Sequence, residues 1–117
     1  MITAYVVITL LTIAANAGMA VADFVRARFV LANSAAVGVP ASWLPMLGAL
    51  KAAGAGGLLI GLFGVRPLGI AAATGLVLFF IGAIATHVRA RAFATIAPGP
   101  GVFLALAAAS LVLAIAA

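Results

Sequence analysis

Three side chains could carry chemistry in this chain: the one acid, Asp23, the one lysine, Lys51, and the one histidine, His87. A carboxylate, an amine and an imidazole at similar depth in an apolar surrounding can tune the protonation of a group. They can also bind the polar head of a lipophilic ligand. The structural alternative is that Lys51 reaches the lipid headgroups or pairs with Asp23, while His87 sits favourably at a helix end. Whether the three meet depends on the elements that carry them.

Composition predicts that these elements lie in a membrane. Hydrophobic residues make up 68% of the chain and charged residues 6%, and the mean hydropathy is +1.46. A soluble domain is about half apolar and about a quarter charged. The 117 residues allow about four helical spans of roughly 20 residues with short connections. We therefore predict a single all-α transmembrane domain over residues 1–117.

Turn signals and apolar runs divide the chain into a four-helix membrane bundle. The first connection, about 22 residues, is long for a bundle, so we expect it to be partly helical and interfacial, with Trp43 at headgroup depth. Arg66-Pro67 is predicted to form a tight turn, and the last span, with Ser110 as its one polar side chain, is expected to face lipid. The predicted spans are 2–22, 46–65, 68–87 and 99–117.

The first span has a polar face, formed by Tyr5, Thr9, Thr12, Asn16 and Asp23 within about 60° of helical arc. In lipid, such a face should turn towards other helices or a cavity. Asn16 would then lie two turns deeper than Asp23 on the same side. The alternative is that Thr9 and Thr12 bond their own backbone carbonyls four residues back and Asn16 joins two helices.

Small residues recur at helical spacing in the second and third spans. In lipid, glycine seams let helix backbones approach closely, and this drives helix association where the hydrophobic effect cannot. Four of the glycines fall within about 80° of arc on the second span. The residues predicted to pack helices are Gly54, Gly57, Gly61 and Gly64 on the second span and Gly75 and Gly82 on the third.

Basic residues predict the orientation. The second connection holds only Arg66, whereas the first and third hold Arg26, Arg28, Arg89 and Arg91. By the positive-inside bias, connections one and three face the cytoplasm and both termini face outside. Alternating helix direction then puts Asp23, Lys51 and His87 near the same, cytoplasmic, membrane face.

Several functions and partners are excluded or disfavoured by the residues available. The chain has no cysteine, which rules out disulfides and thiolate metal sites, and one histidine with one acid cannot build a metal site alone. Basic residues scattered between apolar runs make no nucleic-acid face; contact with anionic lipid headgroups is expected instead. No phosphate-loop spacing occurs, and no catalytic residue can be assigned.

The middle of the chain resembles the DoxX-like family of small bacterial membrane proteins. The resemblance lies in GALKAAGAGGLLIGL at 48–62, PLGIAAA at 67–73, GLVLFFIGA at 75–83 and HVR at 87–89. It implies a four-helix bundle in the bacterial inner membrane, without implying one activity. The family takes its name from a subunit of a thiosulfate:quinone oxidoreductase, and relatives are described as redox-stress partners or assembly factors. Lys51 and His87 are the positions to test first.

Three functions remain open, and the sequence favours a non-catalytic one. In the leading hypothesis the protein is an accessory, assembly or interaction subunit for another membrane protein, or a homo-oligomer, that holds a lipophilic ligand between helices. The first alternative is a small enzyme or redox subunit acting on a quinone or isoprenoid lipid; the second is an oligomeric transporter or channel. A buried pocket walled by Asn16, Lys51, Phe79 and Phe80 would favour the first alternative. The candidate ligand-binding residues are Asn16, Asp23, Lys51, Phe79, Phe80 and His87.

Overall fold

A computed structural model describes residues 1–96 and 99–117, and within these ranges every regular element is helical. The all-α prediction is confirmed. Two short 3-10 turns, Ala41–Trp43 and Phe93–Thr95, precede α3 and α5. The five α-helices are α1 (Ile2–Phe24), α2 (Arg28–Ala36), α3 (Leu44–Leu62), α4 (Arg66–Arg89) and α5 (Pro100–Ala116).

The four long helices close into a ring around one core. α1 packs against α3 and α5, and α4 packs against the same two helices on the other side. The shorter α2 lies outside the ring, in the first connection. At the centre, small and large apolar side chains interlock: Leu58, Ala73, Leu76, Phe80 and Ala107.

Three helical segments are long and apolar enough to cross a membrane: Ile2–Phe24, Ala41–Leu62 and Arg66–Arg89. α5 is also apolar but has 17 residues, so at 1.5 Å per residue it is about 26 Å long. The hydrocarbon core of a bilayer is about 30 Å thick. The outer surface is rich in large exposed apolar side chains, as lipid contact requires. The chain is a helical membrane protein.

The turn between α3 and α4 differs from the prediction by a few residues. α3 ends at Leu62, so Gly64, expected on the α3 packing face, lies in the turn instead, with φ +118°. Only glycine adopts that angle without strain. Arg66 and Pro67 are the first residues of α4 rather than the turn, because a proline suits the first helical turn.

The α3 glycines pack against α4. A Cβ atom built on Gly61 would lie 2.6 Å from the Cα of Gly69, and one on Gly57 would lie 2.7 Å from the Cβ of Ala72. The two helices therefore touch through backbone and methyl groups, as small-residue seams in membranes allow. Gly75 and Gly82 behave differently, since no described atom lies within 4 Å of where their Cβ would be.

Candidate functional site

A buried ion pair joins the first and third helices. The Lys51 Nζ donates a hydrogen bond of 2.8 Å to Asp23 Oδ2, and the two residues are 8% and 1% exposed. Gly48 permits this contact, because a Cβ there would lie 3.1 Å from the Asp23 Cβ and 3.2 Å from the Ala20 carbonyl oxygen. The absence of a side chain at Gly48 thus lets α1 and α3 approach closely enough for the ion pair to form.

A row of three phenylalanine rings begins near the ammonium group. The Lys51 Nζ lies 5.5 Å from the centroid of the Phe79 ring, within range of a cation–π attraction. Phe79 meets Phe80 edge to face at 5.0 Å, and Phe80 lies 5.2 Å from Phe103 of α5. The Lys51 ammonium therefore has a carboxylate as its hydrogen-bond partner and an aromatic ring within cation–π range.

A pocket of about 400 Å³ opens beside this pair. All five α-helices line it, and α2 with the segment that follows covers it through Val30 and Val37. Five of the six candidate ligand-binding residues are in its wall: Asp23, Lys51, Phe79, Phe80 and His87. Asn16 is not.

His87 enters the pocket from the last turn of α4. Its Nδ1 lies 2.8 Å from the Ala83 carbonyl oxygen; a carbonyl can only accept, so Nδ1 carries a hydrogen. In the neutral ring, Nε2 is then left as an acceptor. Across residues 1–96 and 99–117, no group of three or more His, Cys, Asp or Glu side chains is placed to hold a metal ion.

The family of the chain follows from a match along most of its length. The model of the DoxX-like family matches residues 7–110. The chain belongs to the DoxX-like family. No curated protein and no solved structure matches this DoxX-like chain at a significant level. Membership confirms the resemblance in the sequence and is consistent with the helical membrane fold, but it assigns no activity to the pocket.

The polar face of α1 in this DoxX-like protein points into the bundle below the pocket. The Thr12 hydroxyl donates to the Ile8 carbonyl at 2.8 Å and lies 2.7 Å from the Ser110 hydroxyl. Asn16 donates from Nδ2 to the Thr12 carbonyl at 2.9 Å, so this amide hydrogen bond stays within α1. Ser110 is buried against α1, whereas Val102, Val112 and Ile115 form an exposed apolar face of α5. Within the described chain, Thr9 Oγ1 and Asn16 Oδ1 have no partner.

Sequence reasoning missed the role of Arg66, at the opposite end of the bundle. Its Nη1 donates to the backbone oxygens of Ala114 and Ala117 at 2.9 and 3.0 Å, and its guanidinium carbon lies 4.7 Å above the Tyr5 ring. A cation is favourable at the negative end of a helix dipole. Because the partners come from α1, α4 and the end of α5 and are far apart in sequence, no local motif predicts this contact.

Proposed function

We propose that this DoxX-like membrane protein binds a lipophilic ligand in the pocket, with the polar head beside Asp23 and Lys51 and the tail between helices. The supporting observation is a pocket of about 400 Å³ whose wall joins a buried ion pair to two phenylalanine rings. Ligand sites in proteins have volumes of about 300–1,000 Å³ and combine apolar walls with a few polar groups. The pocket meets both criteria.

The polar groups of the pocket define the head that fits. An ammonium group has three donors, and Lys51 uses one of them on Asp23. In the neutral imidazole, His87 Nε2 is available as an acceptor. A carbonyl or hydroxyl oxygen of the head can accept from Lys51, but only a hydroxyl can also donate to His87 Nε2. The faces of Phe79 and Phe80 suit a flat ring or an isoprenoid unit. A quinol or an isoprenoid lipid with a hydroxyl group meets both requirements, and a quinone meets the requirement of Lys51.

The role we propose for the bound state is that of an accessory or interaction subunit of another membrane protein. A second opening, of about 630 Å³, lies on the outer side of α3 and α4. It is lined by small and apolar residues, among them Gly57, Ala72 and Gly75. A helix of a partner protein or of a second copy would fit such a surface.

The second candidate function is a small enzyme or redox subunit that acts on the bound quinone or isoprenoid. It is favoured by the position of Asp23, Lys51 and His87 around one pocket, since a few polar groups that converge in an apolar cleft are typical of binding and active sites. The proposal assigns no catalytic residue among them.

The proposed setting is the bacterial inner membrane, with both termini outside and α5 crossing together with the other three long helices. Asp23, Lys51, His87 and the four arginines of connections one and three then lie at the cytoplasmic face. This arrangement is supported by the imbalance of basic residues between the two ends of the bundle.

Native mass spectrometry of the protein, gently extracted from its own membrane, tests the binding proposal. We expect the wild type to carry a quinone or isoprenoid lipid, and the double variant Asp23→Asn/Lys51→Met to lose it. The double variant leaves no unpaired buried charge, which limits the structural damage. Ser110→Ala, outside the pocket, is the control and should retain the lipid. A wild type without such a lipid, or a double variant that keeps it, would overturn the proposal.

A further inference from the structure

The chain has many more basic than acidic side chains. The sequence contains one acidic side chain, Asp23, and Lys51 holds it in the buried pair. Arg66 donates to backbone oxygens at the end of α5. A carboxylate partner in the chain is therefore unavailable to the remaining arginines, all of which are exposed: Arg26, Arg28, Arg89 and Arg91.

These four arginines lie at the end of the bundle where the pocket lies. Each is two to four residues from a side chain in the pocket wall: Arg26 from Asp23, Arg28 from Val30, Arg89 from His87, and Arg91 from Thr95. The one acid in the pocket wall, Asp23, is already paired with Lys51. It therefore does not balance the positive charge of the four arginines. Within the described part of the chain, the pocket wall itself contains no arginine, so a ligand head would meet these cations where it leaves the pocket at this end of the bundle.

Two of the arginines occupy backbone positions that favour glycine. α1 and α4 each end in a Schellman motif, with hydrogen bonds from Ala27 N to Ala22 O and from Ala92 N to His87 O. The residues in the left-handed position are Arg26, with φ 52°, and Arg91, with φ 56°.

The same motif ends α2 and α3, and there the left-handed residue is a glycine, Gly38 or Gly64. A side chain in this conformation costs about 1–2 kcal/mol. An arginine that persists at such a cost points to a function for its side chain.

We propose that the pocket binds an isoprenoid lipid with a phosphate head, and that Arg26, Arg28, Arg89 and Arg91 bind the phosphate. The proposal rests on the proposed function and names the class of its ligand. Guanidinium groups bind phosphate through paired N–H donors, which lysine cannot reproduce. The tail lies against Phe80 and Phe103, the end of the lipid that carries the head passes Asp23 and Lys51, and the phosphate reaches the membrane face, where the arginines are exposed.

Farnesyl phosphate and farnesol are suitable probes, because they share one tail and differ in the phosphate. The full-length protein is placed in phosphatidylcholine nanodiscs, and binding of each probe is measured by native mass spectrometry. We expect farnesyl phosphate to bind at least about tenfold more tightly than farnesol, the effect of one or two charge-assisted hydrogen bonds.

The variant with all four arginines changed to lysine separates recognition from general charge. It keeps the positive charge that orients the protein in the membrane, and we expect it to lose most of the preference for the phosphate. Arg66→Lys, at the opposite end, is the matched control and should keep the preference. If the fourfold variant does not insert, the pairs Arg26/Arg28 and Arg89/Arg91 are changed separately, and each should lower the preference.

Four results would overturn the inference, and they can be told apart. An unchanged preference in the lysine variants would mean that charge alone is sensed. Equal binding of the two probes would reject the phosphate but leave the proposed function intact. Displacement of farnesyl phosphate by inorganic phosphate or by phosphatidylglycerol would indicate a free-phosphate or bulk-headgroup site. Failure of both probes, with no co-purified quinone or isoprenoid, would reject the proposed function itself.

Discussion

The two ends of this bundle use arginine in different ways. At one end, Arg66 donates to backbone oxygens of α5 and lies over the Tyr5 ring, and nearby the backbones of Gly61 and Gly69 touch. At the other end, four exposed arginines lie within two to four residues, along the chain, of side chains in the pocket wall, while the one acid is bound to Lys51. The first end is closed by contacts that the chain itself supplies. The second leaves four exposed guanidinium groups with no acidic side chain in the sequence to pair with, since Asp23 is bound to Lys51.

This difference has an energetic side. Arg66 meets two oxygens that a helix end leaves free, so its contacts stabilise the fold directly. A buried ion pair such as Asp23–Lys51 contributes less, because the desolvation of both charges offsets their attraction. Removal of one partner is nevertheless costly. The closed end should therefore respond to single changes in its contacts, and the pocket end mainly to changes that unbalance its charge.

The largest effect is expected from breaking the ion pair on one side only. Asp23→Asn leaves the buried Lys51 ammonium without its carboxylate, and Lys51→Met leaves the buried Asp23 carboxylate without its cation. We expect each single variant to lose about 3–5 kcal/mol of stability. The double variant should recover much of the loss. Thermal unfolding in detergent measures these differences, and equal losses in Asp23→Asn and in the double variant would show that the pair is not coupled.

A smaller loss is expected from a methyl group at the closed end. In Gly61→Ala the new Cβ would meet the Cα of Gly69 at 2.6 Å, and forcing the helices apart should cost about 1–3 kcal/mol. Gly75→Ala is the matched control: its Cβ meets no described atom within 4 Å, and alanine is the better helix former by about 1 kcal/mol. If both variants lose the same stability, the α3–α4 contact does not define this end.

The arginines themselves sharpen the comparison. Arg66→Gln removes a charge from the end of α5, and we expect a loss of about 2 kcal/mol, the upper range for a cation at a helix C-terminus. Arg28→Gln, at the pocket end, should change stability by less than about 0.5 kcal/mol. Chemical denaturation of both variants in the same detergent measures the two changes in stability. A larger loss for Arg28→Gln would reverse the proposed division of roles.

The smallest effect is expected at Arg26, where one substitution should raise stability and weaken ligand binding. Arg26→Gly places glycine in the left-handed position at the end of α1, which should raise stability by about 1 kcal/mol while weakening binding of farnesyl phosphate. Gly38→Arg, the reverse change at the end of α2, should lower stability. Thermal unfolding measures the change in stability, and the binding assay measures the change in affinity for farnesyl phosphate. An Arg26→Gly variant that is no more stable would show that the backbone carries no strain there.

Much of the fold followed from local patterns. Apolar runs predicted the long helices, and the 3.6-residue period put Tyr5, Thr9, Thr12, Asn16 and Asp23 on one buried face, as the structure has them. The alternating direction of the helices placed Asp23 and Lys51 at one end, and the structure brings them into contact. These predictions succeed because helix periodicity and chain direction depend on neighbouring residues alone.

The site was only partly predictable, because a helical face does not reveal its neighbour. Gly75 and Gly82 have the same spacing as a packing seam but face open space in this chain. Asn16 shares a face with Asp23, yet two turns of helix take it out of the pocket. The covering of the pocket by Val30 and Val37 comes from a connection that has no periodic signal of its own. Such features depend on the way distant elements meet.

The most direct test of ligand binding at the pocket end is photo-crosslinking with an isoprenoid phosphate that carries a benzophenone group on its tail. After irradiation in nanodiscs, the modified residues are identified by mass spectrometry of the digested protein. The account predicts adducts in the pocket wall, at Val30, Trp43 or Phe103, and their loss in the lysine variant of the four arginines. Adducts confined to the outer side of α3 and α4, at Leu68, Ala71 or Leu78, would contradict it.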